Sequence, residues 1–289
     1  MRWLPYKHVF FDCDSTLTAV EGIDVLASSA GKEWRVSVLT RAAMDGDIDL
    51  EDIYEKRLKT VKPTRGQIES LRQVYKQSVV EDAIEVIAVL QSHGHNVYII
   101  SGGLYEPVVQ FGLYLGVPTE NIRAVGIEFD ALSGTWWQSG DHIHNVSERF
   151  VSVDNQPLTI SEGKLQIIKE LLGHQKGRSL LVGDGTSDLK AGGGVDLFVG
   201  YGGVVTRPKV LNKAPIFIHS FSLGPVLALA MGPSALRSIA NKQGSGVAAR
   251  AFRLIDKEAI TFKNDQLRDR FKSALTESHK AVHPRPFGS

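Results

Sequence analysis

Four short apolar runs along the chain each end abruptly in small, polar or acidic residues. They are Val9 to Phe11 before Asp12, Val97 to Ile100 before Ser101, Ser179 to Val182 before Gly183-Asp184, and Leu197 to Val199 before Gly200. Buried parallel strands read this way when their carboxyl ends carry chemistry. Between the runs, apolar residues recur at helical spacing, as in Ala83, Ile87 and Leu90 ahead of the turn His93-Gly94-His95-Asn96. The alternation predicts an α/β fold, a doubly wound parallel sheet with right-handed crossovers, whose ligands bind beyond the carboxyl ends of the strands.

Three stretches depart from this rhythm. Residues 19–80 hold Trp34, Leu39, Met44 and Leu58 in a helical pattern without a convincing strand, which predicts a helical cap inserted after the first strand. From Ile127 to Ile160, Trp136-Trp137, Ser-Gly and Asp-Asn turns and alternating residues predict a β-hairpin. Beyond Phe221 the pattern is helical again, and Leu267, Phe271 and Leu275 form an apolar stripe expected to pack on the body or on a second subunit, as in a homodimer. The expected organisation is a catalytic core of residues 1–18 and 81–220, a cap of residues 19–80, and a C-terminal helical extension of residues 221–289 ending in a frayed tail from His283.

Composition narrows the function classes. The 289 residues carry 33 Lys+Arg against 32 Asp+Glu, a net charge of +1, which supplies no field for gathering nucleic acid or an anionic membrane. A chain of this length can bury a sizeable core without staples. Its one cysteine, Cys13, excludes an intrachain disulfide or a cysteine-based zinc cluster and fits a reducing, cytoplasmic compartment. The first eight residues include a lysine and a histidine and make no signal-peptide stretch, and the most apolar run, Leu223 to Met231, is far short of a membrane span. The expectation is a soluble, unexported protein with neither nucleic-acid nor membrane partners.

The strand ends carry the candidate chemistry. Asp12-Cys13-Asp14-Ser15-Thr16 follows the first run, and two carboxylates one residue apart repel, so a cation or a proton is required between them. One acid reads as a nucleophile that becomes an aspartyl phosphate, the other as a proton donor and acceptor. Ser101-Gly102-Gly103 ends the second run, where the glycines permit close backbone approach and a following helix would offer free N–H groups to phosphoryl oxygens. Gly183-Asp184-Gly185-Thr186-Ser187-Asp188 ends the third, with one acid in the loop and one in the first helical turn. That oxygen-rich set suits Mg²⁺ better than zinc. Lys164 would by default be a surface lysine, yet four gathered acids and a phosphate demand a compact positive charge beyond a divalent ion.

In order and strand-end context, Asp12/Asp14, Ser101, Lys164 and Asp184/Asp188 match the haloacid dehalogenase superfamily. Segments 11–27, 39–44, 55–58, 100–103 and 183–188 closely resemble the phosphoserine phosphatases within it, over about residues 8 to 219. The resemblance implies Mg²⁺-dependent hydrolysis of L-phosphoserine, a small phosphomonoester. Asp12 would be the nucleophile and Asp14 the acid/base, with Mg²⁺ on Asp12, the Asp14 carbonyl and Asp184, supported by Asp188. Ser101, Gly102, Gly103 and Lys164 would hold the phosphoryl group, Glu21 the substrate ammonium and Arg57 its carboxylate, while Met44 and Arg207 would line or close the pocket. Three positions depart from the family pattern and bear on specificity: Asp45 in place of a usual glycine, Leu50 of a common aromatic, Val125 of a pocket asparagine.

Weaker motifs contribute little. Gly200-Tyr-Gly-Gly203 lacks the third glycine of a dinucleotide fingerprint, His93, His95, His142 and His144 lack metal-ligand spacing, and Cys13 reads as a small core residue.

Overall fold

All four runs lie in one sheet. The computed structural model describes residues 3–45, 47–130, 132–133, 146–153, 156–243 and 246–280, with no description of the side chains of 44–45, 241–243 and 279–280. In chain order the strands are β1 (His8–Phe11), β2 (Asn96–Leu104), β3 (Ile122–Val125), β4 (Ile127–Asp130), β5 (Arg149–Val153), β6 (Ser179–Gly183), β7 (Leu197–Tyr201), β8 (Ile216–Ile218) and β9 (Ile260–Phe262). Seven of them form a sheet of order β3-β2-β1-β6-β7-β8-β9. Every pairing is parallel except that of β9 with β8. The chain runs from β1 to β2 on one side and later returns to β6 on the other, so the strand order reverses at β1. That reversal opens a crevice beyond the carboxyl end of β1, where Asp12 stands.

Alternation along the strands explains the two layers. Val9, Phe11, Val97 and Ile99 face one cluster, completed by α5 (Ala83–Ser92), α6 (Tyr105–Tyr114) and helices of the C-terminal region. Phe10, Tyr98, Ile100 and Leu181 face the other, completed by α7 (Gly163–Leu172), by Val210 of α9 (Pro208–Lys213) and by Leu26 and Leu58 from helices preceding β2. Between β1 and α5 the helices are α1 (Gly22–Ser29), α2 (Glu33–Asp45), α3 (Leu50–Val61) and α4 (Arg65–Gln77), with no strand among them. On α3 the buried residues are Ile53, Tyr54, Arg57, Leu58 and Val61, a 3-4-spaced face that carries a cation inward with its apolar neighbours. Thr64 and Gln67 close a reciprocal capping box at the start of α4, at 3.2 and 2.9 Å.

The predicted hairpin is present as antiparallel β4 and β5, although its Trp136-Trp137 and His142 and His144 lie outside the described residues, as does the tail from His283. After Phe221 come α10 (Gly224–Met231), α11 (Pro233–Gln243), α12 (Gly246–Asp256) and α13 (Asp265–Lys280). All eight residues of α10 are buried, as expected of a helix that is apolar on every side. The stripe on α13 faces the body: Phe271 meets Trp3 edge-on at 5.2 Å, and Leu267 and Leu275 pack on the same cluster. The region is not wholly helical, because β9 adds an antiparallel edge to β8. Strands of three residues are too short to set up a readable period. No described helix is long and apolar enough to cross a membrane.

Candidate active site

The Asp12 backbone N–H continues the β1–β6 ladder by donating to the Val182 carbonyl at 3.0 Å, so the first acid is aligned with the end of β6. The chain then turns tightly: the N–H groups of Thr16, Leu17 and Thr18 all point at the Cys13 carbonyl, and Ser15 sits in the left-handed region at φ 55°. Cys13 joins the core beneath the sheet, as its sequence context suggested, while Asp12 and Asp14 border a cavity of about 70 Å³.

Around that turn the acids and cations interlock. Lys164, in the first turn of α7, donates to Asp12 Oδ1 and to Asp188 Oδ1, both at 2.7 Å. Asp12 Oδ1 also accepts the Cys13 N–H at 2.8 Å, and no hydrogen bond from the described residues reaches Oδ2. Asp188, in the first turn of α8 (Thr186–Ala191), accepts the Gly185 N–H at 3.1 Å through its other oxygen. Gly183 makes this fold-back feasible, since a Cβ there would lie 2.3 Å from the Asp188 carboxyl carbon. Asp184 accepts from Arg207 Nε at 2.8 Å and Thr16 Oγ1 at 3.3 Å. Arg207 also reaches Glu21 at 3.3 Å, and Glu21 accepts the Ser15 hydroxyl at 2.8 Å. Asp14 Oδ2 accepts the Gly22 N–H at 3.3 Å, whereas its Oδ1 is buried with no partner.

Five acids therefore converge, Asp12, Asp14, Glu21, Asp184 and Asp188, with ion pairs only from Lys164 and Arg207 among the described residues. The electrostatics record the excess. Burial, then the charge of Asp12, pushes Asp188 up to about 8, and burial, then Asp14, pushes Glu21 up to about 8. Burial raises Asp14 to about 7, with Asp12 adding to it, and raises Asp184 to about 7 against the opposing pull of Arg207. Lys164, which burial alone would discharge, is held firmly protonated by Asp12 and Asp188. Asp12, Asp184 and Asp188 each offer one oxygen within 4.8 Å of the others. The all-oxygen donor set of Asp12, Asp184 and Asp188 and the uncompensated charge fit a hard divalent cation.

Ser101, Gly102 and Gly103 border the cavity but belong to β2 itself, and helix α6 begins only at Tyr105. The expected helix N–H groups are thus displaced from the glycines by the strand's extension past its bulge between Ile100 and Leu104. Glu21 and Arg57 also border the cavity and do not pair with each other. Arg57 is 4% exposed, gives one N–H to Thr40 Oγ1 at 3.2 Å, and leaves Nε without an acceptor. Arg207, Asp184 and Asp188 stand behind the cavity rather than on its wall. The Met44 side chain, like that of Asp45, is outside the described residues. Of the other specificity positions, Leu50 is on the wall, while Val125 is buried in the core and does not reach it.

Among the wall residues that escaped the sequence reading are two tyrosines. Tyr54 of α3 donates to the Gly102 carbonyl at 2.7 Å, and Tyr75 of α4, fully buried, turns its hydroxyl toward Asp14 without meeting hydrogen-bond geometry. Tyr54 lies one helical turn before Arg57, a signal available from i, i+3 spacing; Tyr75 gave none.

A family model for haloacid dehalogenase-like hydrolases matches residues 6–196, and the chain belongs to that family. Within it, the chain is 32% identical over 216 residues to the phosphoserine phosphatase of Drosophila melanogaster, a match covering 74% of each. Among solved structures, a phosphoserine phosphohydrolase-like protein from Francisella tularensis superposes with a TM-score of 0.63 at 27% identity, covering 74% of this chain and 95% of that one. A phospho-aspartyl intermediate analogue of a phosphoserine phosphatase gives a TM-score of 0.63 at 25% identity, covering 78% and 98%.

Proposed function

We propose that the protein hydrolyses L-phosphoserine to L-serine and phosphate through a phosphoryl group carried on Asp12. The observation that carries the substrate assignment is Arg57, a buried cation on the cavity wall with no carboxylate in ion-pair contact among the described residues and an orphaned Nε. Such a group is stable only if something anionic comes to it, and a substrate carboxylate fits its planar fork. Glu21 would answer the substrate ammonium. The relatives named phosphoserine phosphatase support the same reading.

In this reading the substrate phosphorus lies over Asp12, held by the Ser101 hydroxyl, the backbone at Gly102 and Gly103, and Lys164. An Asp12 oxygen attacks phosphorus as the P–O bond to the seryl oxygen breaks, and Asp14 gives that oxygen its proton. With a pKa near 7, Asp14 holds a proton in a sizeable fraction of molecules at neutral pH. Asp14, now a carboxylate, takes a proton from water as the water oxygen attacks phosphorus and the bond to Asp12 breaks. Mg²⁺, held by Asp12, the Asp14 carbonyl and Asp184 with Asp188 in support, would screen the charge of phosphoryl group and acids.

Residues 19–80 would act as the cap that brings Glu21 and Arg57 to a core of 1–18 and 81–220, with 221–289 as an extension. Met44 and Arg207 would close the pocket, Arg207 by anchoring Glu21 and Asp184. The reading places the enzyme in the cytoplasm and allows a homodimer. Leu50, an apolar wall where an aromatic is common, favours one alternative, hydrolysis or transfer from another small phosphomonoester. Phosphate release from L-phosphoserine, against a panel of sugar and hydroxy-acid phosphates with Mg²⁺ present, tests the assignment; preference for a phosphate lacking the amino-acid moiety would overturn it.

A further inference from the structure

The Tyr54 hydroxyl donates to the Gly102 carbonyl at 2.7 Å. The other end of that same peptide unit, the Gly103 N–H, donates to Ser101 Oγ at 2.9 Å. A carbonyl that accepts a hydrogen bond makes its peptide N–H a better donor, so the two bonds reinforce each other. With its oxygen engaged by Gly103, the fully buried Ser101 hydroxyl has no acceptor for its own hydrogen among the described residues, and it borders the cavity. Residue 103 must be small for this approach, since a Cβ there would sit 3.0 Å from Ser101 Oγ and 3.1 Å from Val108 Cγ2.

We propose that Tyr54 is a positioning residue for the phosphoryl site, acting through the Gly102–Gly103 peptide to aim the Ser101 hydroxyl hydrogen into the cavity. The inference rests on the phosphatase reading and deepens it. Tyr54 itself is 6% exposed, and burial raises its pKa, so the phenol remains a donor throughout the neutral range. One rigid helix thus carries both ends of the recognition, because α3 presents Tyr54 to the phosphoryl end and Arg57 to the amino-acid end one turn later. Docking of α3 and orientation of Ser101 become a single event.

Loss of this bond would not undock the helix. Glu51 of α3 accepts from the Ser161 N–H and hydroxyl at 3.1 and 3.2 Å, and the Leu50 N–H that opens α3 donates to Ser161 Oγ at 3.3 Å. Tyr54→Phe retains the ring and its packing and removes only the donor.

The test is a double-mutant cycle of Tyr54→Phe and Ser101→Ala in the full chain with Mg²⁺. It is read with L-phosphoserine, with an aryl phosphate, and with inorganic phosphate as inhibitor. Tyr54→Phe alone should lower kcat/KM about tenfold on both substrates and weaken phosphate inhibition by a similar factor, with the thermal midpoint lowered by no more than a few degrees and the chain fully folded at assay temperature. In the Ser101→Ala background the same change should cost less than twofold, because there is no hydroxyl left to aim. Equal losses in both backgrounds would overturn the proposal, as would wild-type kinetics and phosphate inhibition in Tyr54→Phe. A lowered midpoint with losses independent of Ser101 would make the role structural and overturn it too. A wild-type chain inactive on every phosphomonoester would instead strike the phosphatase reading itself.

Discussion

Replacing Arg57 by methionine should stabilise the ligand-free protein while removing most of its activity on L-phosphoserine. Arg57 is 4% exposed, makes one recorded hydrogen bond, to Thr40, and leaves Nε orphaned. Burial depresses its pKa; Tyr54, whose ring the guanidinium overlies at 5.5 Å, opposes that most, and Glu21, Asp24 and Asp14 oppose it without ion-pair contact. Exchanging buried charge for a volume-matched apolar side chain is commonly neutral or stabilising by up to about 4 kcal/mol. For a chain of this size each kcal/mol moves the thermal midpoint by about 2–4 °C, so a rise of several degrees is expected. Thr40 keeps its bond to Asp24 at 3.0 Å, so the exchange orphans no second buried group.

The kinetic cost runs the other way. A substrate carboxylate left without its buried partner forfeits about 2–5 kcal/mol of transition-state binding, a drop in kcat/KM from about 30-fold to several thousand-fold. Phosphoethanolamine, which lacks the carboxylate, and an aryl phosphate should lose far less. Calorimetry and steady-state kinetics on the three substrates suffice. A lowered midpoint with equal losses on all three would refute the reasoning, because a loosened α3 would admit water to the cavity regardless of substrate.

Asp12→Asn should reduce turnover by several orders of magnitude in a folded protein, and near-wild-type turnover would exclude Asp12 as nucleophile. Lys164→Met leaves Asp12 and Asp188 without their shared cation and should destabilise by about 3–5 kcal/mol, measured by denaturant unfolding. In chelator, the contribution of Asp14, Glu21, Asp184 and Asp188 to stability should fall as pH rises from about 5 to about 8 and level off above that. The folded pKa values of about 7 for Asp14 and Asp184 and about 8 for Glu21 and Asp188 lie above the ordinary 3.8 and 4.5, so the folded chain binds protons more tightly and loses that advantage as they leave. Mg²⁺ should restore both activity and stability, the latter more at pH 8 than at pH 6, with Ca²⁺ a poor activator because of its looser coordination; a thermal midpoint in chelator that is flat or rising over this range would contradict the charge assignment.

The strand ends were legible because two constraints coincide there. A central parallel strand must be apolar on both faces, and its first polar residue marks where the sheet meets solvent or ligand, as at Phe11-Asp12 and Gly183-Asp184. The helical character of residues 22–77 was legible from 3-4 spacing, as on α3. Pairings that close through space were not. Arg207 follows Asp184 by 23 positions and Glu21 by 186, and only the folded chain makes it the link between them. The extension of β2 through Gly103 was hidden because glycines read as a turn, whereas here they are strand residues that admit a close N–H contact. Strand β9 left no trace in the pattern, since its three residues are all half-buried.

The cavity and the residues directly behind it carry two opposite electrostatic imbalances. At the sheet end, Asp12, Asp14, Glu21, Asp184 and Asp188 outnumber Lys164 and Arg207; on α3, Arg57 is a cation without a contacting anion. A phosphate monoester alone would relieve neither, because its charge adds to the acidic end and a neutral remainder leaves Arg57 unpaired. A divalent cation at the acids makes that end receptive to phosphate, and a carboxylate on the far side of the same molecule reaches Arg57. In the proposed reading, the span between the imbalances would select a small molecule with a phosphate at one end and a carboxylate at the other, and Glu21 would favour an ammonium between them. Lone phosphate should therefore bind without the contribution of Arg57, and the free amino acid without that of the metal, so that only the intact ester draws on both.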